Sequence, residues 1–292
     1  MTIDPSVQAP TQSRSTVDTV ERRRRLRLPA WSRATESATI YTLTLFLAVL
    51  VLTCWELAAG RLIDEFWVSK PSAIWGSLSA MISTGDLQFH LLISLQEAAL
   101  GFLIGGTVGA VQGLILGRIN FLARIINPFV IAAFTMPRLA MAPLFIIWFG
   151  IGINMKVALA TLTVYFPVFL IAYAGARDIN EELVDIVRVM GADRWFIFRR
   201  IVVPSTMMWI FAGLKQAVPY ALMGAVVGEM IASNRGLGFL LMRAAGSFNT
   251  ADLFAAMFAM VAVGYIGYES VAYLEKRLLR WKAAGRSDII GV

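Results

Sequence analysis

Six stretches of this chain stay apolar for about 20 residues each, the length at which a helix crosses the hydrocarbon layer of a bilayer. They fall at 39–59, 91–116, 126–149, 156–175, 205–231 and 253–274. Only 15% of the residues are charged, 58% are hydrophobic, and the mean hydropathy is +0.69. A water-soluble domain of this size needs far more charge on its surface. The expected fold is therefore all-α: a polytopic membrane protein of six transmembrane helices, occupying 36–282.

The net charge of +7 is explained by topology rather than by a nucleic-acid partner. Membrane proteins collect Lys and Arg on the cytoplasmic side during insertion. With both termini cytoplasmic, nineteen of the 26 basic residues fall inside and five outside: Arg61, Lys70, Lys156, Arg235 and Arg243. Arg138 and Lys215 fall within spans. The same arrangement puts the polar loop 176–204 in the cytoplasm. Residues 1–35 carry Pro, Ser, Thr, Gln and the run Arg22-Arg23-Arg24-Arg25. They read as a disordered basic cytoplasmic tail rather than a cleaved signal, because the next apolar run is too long for a signal core. Residues 283–292 form a second tail.

Little here suggests chemistry. Cys54 is the single cysteine and His90 the single histidine, so no disulfide within one chain and no Cys/His metal site is expected. His90 reads as a capping or interface residue. No Ser/His/Asp set and no Gly-x-x-x-x-Gly-Lys-Ser/Thr loop occurs. No catalytic, cofactor-binding or metal-binding residue is assigned.

Two spans have unusual internal patterns. Gly101, Gly105, Gly109, Gly113 and Gly117 recur every four residues, which places them along one helix face. Small residues at that spacing let another backbone approach closely in lipid. They serve helix packing, or form a smooth face that borders a path or slides. The 126–149 span contains Pro137 and Pro143. Each removes a backbone donor, and helices broken in this way recur where transporters build substrate sites.

The polar loop has a motif of its own. Asp185-Ile186-Val187 is followed by three residues, Gly191, nine residues, Ile201, one residue, and Val203-Pro204. This spacing resembles the EAA loop of bacterial ABC importer permeases: Glu-Ala-Ala, three residues, Gly, nine residues, Ile, one residue, Leu-Pro. The departures are Asp185 for Glu, Ile186-Val187 for Ala-Ala and Val203 for Leu. The phrases Met136-Pro137-Arg138-Leu139-Ala140-Met141-Ala142-Pro143 and Gly228-Glu229-Met230-Ile231-Ala232-Ser233-Asn234-Arg235-Gly236-Leu237-Gly238 look like the nitrate/sulfonate/taurine branch of those permeases. The resemblance covers about residues 68 to 282. It implies a type I ABC importer permease bundle in the bacterial inner membrane, importing a small anionic solute such as nitrate, a sulfonate or taurine. It also implies a second copy of the chain, two ATP-binding subunits that hold ATP and Mg, and an extracytoplasmic solute-binding protein. Lipid is the surroundings, and no nucleic acid is involved.

Within the loop, Glu182 and Asp185 suit the start of a helix, where negative charge is favoured. Gly191 allows a break or close turn. Ala192 and Trp195 offer an apolar face to a partner, and Arg194 and Arg199 offer positive charge. Pro204 suits the start of the next span. These residues are the expected ATPase-coupling set. The candidates for a translocation path are Met136, Pro137, Arg138, Lys215, Gln216 and Glu229. A central Arg costs about 2.5–3.5 kcal/mol in a span, so Arg138 should face protein or water. It serves an anion path, or an ion pair with Glu229 or Glu97. Lys215 lines a path, or it pairs or snorkels. The rival to an ATP-driven importer is a secondary transporter driven by an ion gradient. That rival calls for acidic residues at depth and inverted repeats, and no clear repeat is present.

Overall fold

A computed structural model of the chain describes residues 33–279. The tails expected at 1–35 and 283–292 lie outside these residues, except that 33–35 begin helix α1 (Arg33–Ala58). The chain divides into two compact units, 1–54 and 55–292. In the first, α1 is exposed throughout its apolar length from Tyr41 to Cys54. Such a surface suits lipid rather than water.

The second unit is helical among its described residues. α2 (Pro71–Ser83) starts on a proline, whose missing N–H is harmless in a first turn. α3 (Asp86–Arg118) and α4 (Asn120–Thr135) follow. After a 3-10 turn at Arg138–Met141 come α5 (Ala142–Phe149) and α6 (Ile153–Arg177). The polar loop folds into α7 (Glu181–Val189), α8 (Arg194–Ile197) and a π turn (Phe198–Val202) that leads straight into α9 (Val203–Ala232). α10 (Leu237–Gly246) and α11 (Thr250–Leu278) complete the order. Among the described residues five helices are long and apolar enough to cross a membrane, and a bent pair makes up to six.

That bent pair is the 126–149 segment. The sequence pattern treats it as one span; the structure breaks it at Met136-Pro137 and turns the axis by 79°. The first span appears where expected, and the spans expected at 91–116, 156–175, 205–231 and 253–274 run two to five residues further at one or both ends, as 86–118 does against 91–116. Hydropathy falls at polar residues such as Asp86, while the backbone hydrogen bonds continue through them.

α6 is the centre. It packs against α3 on one side and α9 on the other, and Met155, Leu159, Ala160, Val164, Val168 and Ala172 along it are fully buried. The glycine row of α3 makes the first contact possible. A side-chain carbon at Gly105 would stand 2.5 Å from the Thr161 carbonyl oxygen, at Gly109 2.7 Å from that of Tyr165, and at Gly113 2.6 Å from that of Phe169. At Gly117 it would meet Ala176 Cβ at 2.6 Å, and at Gly101 it would collide with Ala160. The two backbones therefore touch for four turns. On the other side Gly224 lies against Ala160 and Thr163, and the Thr163 hydroxyl donates to the Tyr220 carbonyl at 2.9 Å.

Because real carbon atoms do not approach an oxygen that closely, Gly109→Leu must force α3 from α6. Overpacking of this kind costs about 1–3 kcal/mol, so a fall of roughly 5 °C in the detergent melting temperature is expected. An unchanged melting temperature would contradict the role given to this contact.

Candidate functional site

The polar loop presents a built surface. Asn180 caps α7 by accepting from the Glu182 N–H at 2.8 Å, and Asp193 caps α8 by accepting from the Phe196 N–H at 2.8 Å. Val184 is fully buried and packs with Ile179, Ile197 and Val202, with Leu114 of α3 against them. At the end of α7 the Gly191 N–H donates to the Arg188 carbonyl at 3.0 Å and the Ala192 N–H to the Val187 carbonyl at 3.2 Å. These paired bonds are the Schellman stop, which requires a left-handed residue between them. Gly191 supplies it with φ +91°, and nothing crowds its α-carbon. The glycine is thus needed for its backbone angle, not for space.

The other face of the loop has no cover. Ile186, Val189, Met190, Trp195 and Phe196 are exposed, Val189 at 89% and Met190 at 80%. Arg194, Arg199 and Arg200 are exposed beside them, Ala192 is half-buried, and Pro204 sits in the first turn of α9. Asp185 pairs with Arg188 at 2.7 Å, and Glu182 is exposed. Sequence reasoning missed one fastening. Arg118, at the end of α3, reaches Glu181 at the start of α7 over 2.9 Å. The loop is therefore tied to the glycine helix by an ion pair as well as by Leu114.

At the break between α4 and α5, Met136 and Pro137 are exposed and Arg138 is half-buried. The Arg138 guanidinium lies 5.1 Å from the Phe134 ring centre and 5.3 Å from that of Phe166. Cations are attracted to aromatic faces at this range. Among the described residues no carboxylate pairs with it. Neither Glu97 nor Glu229 is its partner, because both are engaged elsewhere. Elsewhere along α6, Ile104, Val108, Phe145, Phe149 and Tyr165 line an open apolar groove.

Two path candidates have other settings. Lys215 of α9 pairs with Glu275 of α11 at 2.6 Å and is largely covered, so it joins two helices; its neighbour Gln216 is exposed. Glu229 is 1% exposed, which removes it from any open surface of this chain. Its Oε1 accepts from the Ser94 hydroxyl at 2.6 Å and its Oε2 from the Gly238 N–H at 2.7 Å. Lys156, counted as an outer charge from the sequence, is buried and pairs with Glu97 at 2.7 Å. The signal for that pair was present. Glu97 stands four residues before Gly101, on the glycine face, and Lys156 lies in the first turn of the helix that this face meets.

Residues 89–280 match the family described as the binding-protein-dependent transport system inner membrane component. The chain belongs to this family. It is a multi-pass inner-membrane transport component and not an enzyme, and the ion-gradient alternative is not favoured. The chain is 32% identical over 244 residues to the formylaminopyrimidine transport permease protein of Halalkalibacterium halodurans, covering 82% of this chain and 95% of that one. It is 29% identical over 239 residues to a putative aliphatic sulfonates transport permease protein of Bacillus subtilis, covering 82% and 87%. Its fold is shared with a chain of a bacterial ABC transporter involved in import of the acidic polysaccharide alginate. There the TM-score is 0.58 at 12% identity, covering 85% of this chain and 98% of that one.

The setting of Lys215 makes a testable distinction. Lys215→Met removes a charge-assisted hydrogen bond worth about 2 kcal/mol, which lowers the melting temperature by roughly 5 °C. Uptake per assembled transporter should stay at the wild-type rate. Lost uptake with normal stability would instead assign Lys215 to the path.

Proposed function

We propose that this permease imports a small anionic solute, with a second copy of itself, two ATP-binding subunits and an extracytoplasmic solute-binding protein. ATP and Mg belong to the ATP-binding subunits, and this chain supplies the path and the coupling surface. The observation that carries the reading is the uncovered face of α7 and α8, apolar at Ile186, Val189, Met190 and Trp195 and basic at Arg194, Arg199 and Arg200. An amphipathic surface of this kind fits an apolar groove with an acidic rim. The binding-protein-dependent family and the EAA-like spacing support the same reading.

Coupling follows from the connections of that face. Arg118 and Leu114 attach it to α3, and the π turn attaches it to α9. Both helices are packed on α6. A push from ATP-driven closure on the loop is therefore delivered to α3, α6 and α9 together, while the broken α4–α5 segment can turn against them.

Arg138 is the candidate for the solute. It is a cation at a helix break without a carboxylate partner among the described residues. A positive charge there lowers the barrier to an anion, and the relative named for aliphatic sulfonates supports that class. A planar heterocycle is the second reading, favoured by the Phe134 and Phe166 rings around Arg138 and by the relative named for formylaminopyrimidine transport.

Gly191→Leu tests the coupling. Forcing a branched residue into the left-handed region costs about 1–2 kcal/mol and reshapes the α7–α8 turn. Membrane insertion should persist, while solute-stimulated ATP hydrolysis and uptake are lost. Wild-type levels of both would sink the coupling assignment. For the path, Arg138→Met should assemble normally by size-exclusion chromatography and reduce vesicle uptake of a sulfonate at least tenfold, about 1.4 kcal/mol. Normal uptake would exclude the anion role.

A further inference from the structure

Two polar side chains within the spans lie outside the ion pairs and caps described above. Tyr165 is the middle residue of α6, and its hydroxyl donates to Gln112 Oε1 of α3 at 2.6 Å. Gln112 is exposed, and among the described residues no acceptor meets its two Nε2–H groups. Amide donors are expensive to leave facing hydrocarbon, where no water replaces the missing bonds. Leucine would serve lipid better. The surface that carries Gln112 therefore faces water or protein in the assembled permease.

The pair is held in place. The Tyr165 ring stacks on Phe169 with centres 5.6 Å apart and meets Phe166 edge-on at 5.0 Å. Gly109 brings the α3 backbone against the Tyr165 carbonyl, which lets the phenol reach Gln112 three residues on. Phe166 also carries the Arg138 guanidinium, 5.3 Å from its ring centre. One set of rings thus positions both the cation proposed for the path and the hydrogen-bonded pair.

The surroundings have the form of a small-molecule site. Ile104 and Val108 stand two turns and one turn before Gln112 on the same face of α3. With Thr161, Tyr165, Phe145 and Phe149 they line the open groove. A mostly apolar groove with a few converging polar groups is the usual setting for a small solute. The donors without partners select its chemistry. Two N–H groups beside an apolar wall suit the oxygen acceptors of an anion such as a sulfonate, and offer nothing to a cation.

We propose that Gln112 lines the water-filled path of the permease and contacts the solute through its Nε2–H groups, with Tyr165 as the positioning residue that fixes the amide. The proposal rests on the reading of this chain as an importer of a small anionic solute, and adds to it a neutral, hydrogen-bonding contact beside the Arg138 charge.

The test uses the full chain in the transporter purified with its ATP-binding subunits and placed in vesicles, with Cys54→Ser as background. Thiol modification needs a water-exposed thiolate, so Gln112→Cys should react with a charged, water-soluble thiosulfonate roughly tenfold faster than Leu47→Cys on the exposed surface of α1. That readout needs no solute, so a wild type that takes up no sulfonate counts against the solute class alone. Gln112→Leu should assemble as the wild type does on size-exclusion chromatography and lower sulfonate uptake about fivefold, the loss of one hydrogen bond. Tyr165→Phe keeps the ring contacts and should lower uptake about threefold. The double variant should be no slower than Gln112→Leu, because Tyr165 acts through Gln112. A position 112 no more reactive than position 47 would put this surface against lipid or a second copy and overturn the proposal. So would full sulfonate uptake by Gln112→Leu in a transporter whose wild type carries sulfonate, or a double variant whose losses multiply.

Discussion

The contact between α3 and α6 is the constraint on which the rest of the second unit depends. Lipid tails are as apolar as leucine, so helices in a bilayer gain little from hiding apolar surface and must gain from close packing. Five glycines at period four remove the α3 side chains from the contact over four turns, so that α6 carbonyls and small side chains meet the α3 backbone. The same face of α3 continues outward through Glu97, Ser94 and His90, which bind Lys156, Glu229 and the 236–238 turn. At the other end Arg118 and Leu114 meet the polar loop. One helix face therefore fixes both ends of the bundle relative to α6.

Features set by local backbone rules were legible in the sequence. Period-four glycines specify one face whatever they meet, and Pro137 must disturb a helix wherever it lies. Gly191, three residues past Arg188 and just after an amphipathic stretch, stands at the point where α7 stops. Features set by a partner far along the chain were not legible. Lys215 and Glu275 are sixty residues apart, and nothing local distinguishes a paired lysine from one that lines a path. Lys156 stood at the edge of an apolar run, and the charge count treated that edge as water. Lys156 is the exception in having a signal, Glu97 on the glycine face, which the charge count did not use. The 79° turn at Met136-Pro137 was foreseeable as a break but not as an angle, since the angle depends on how α5 lies against α6.

Charge placement separates two kinds of work. The outer cluster and the Lys215–Glu275 pair join helices within the chain. Among the described residues Arg138 is held by aromatic faces at the break between α4 and α5 and has no carboxylate partner, which fits the proposed role toward an anion.

Cross-linking tests the docking of the α7–α8 face most directly. Cys54 is replaced by Ser, and a single cysteine is placed at Met190 or, as a control at the opposite end, at Leu62, both at least 80% exposed. In the transporter purified with its ATP-binding subunits, a short thiol cross-linker should join position 190 to that subunit, with a yield that changes on adding ATP. Position 62 should give no such product. An intact complex in which position 190 fails to cross-link, or position 62 succeeds, would contradict the assignment of this face as the coupling surface.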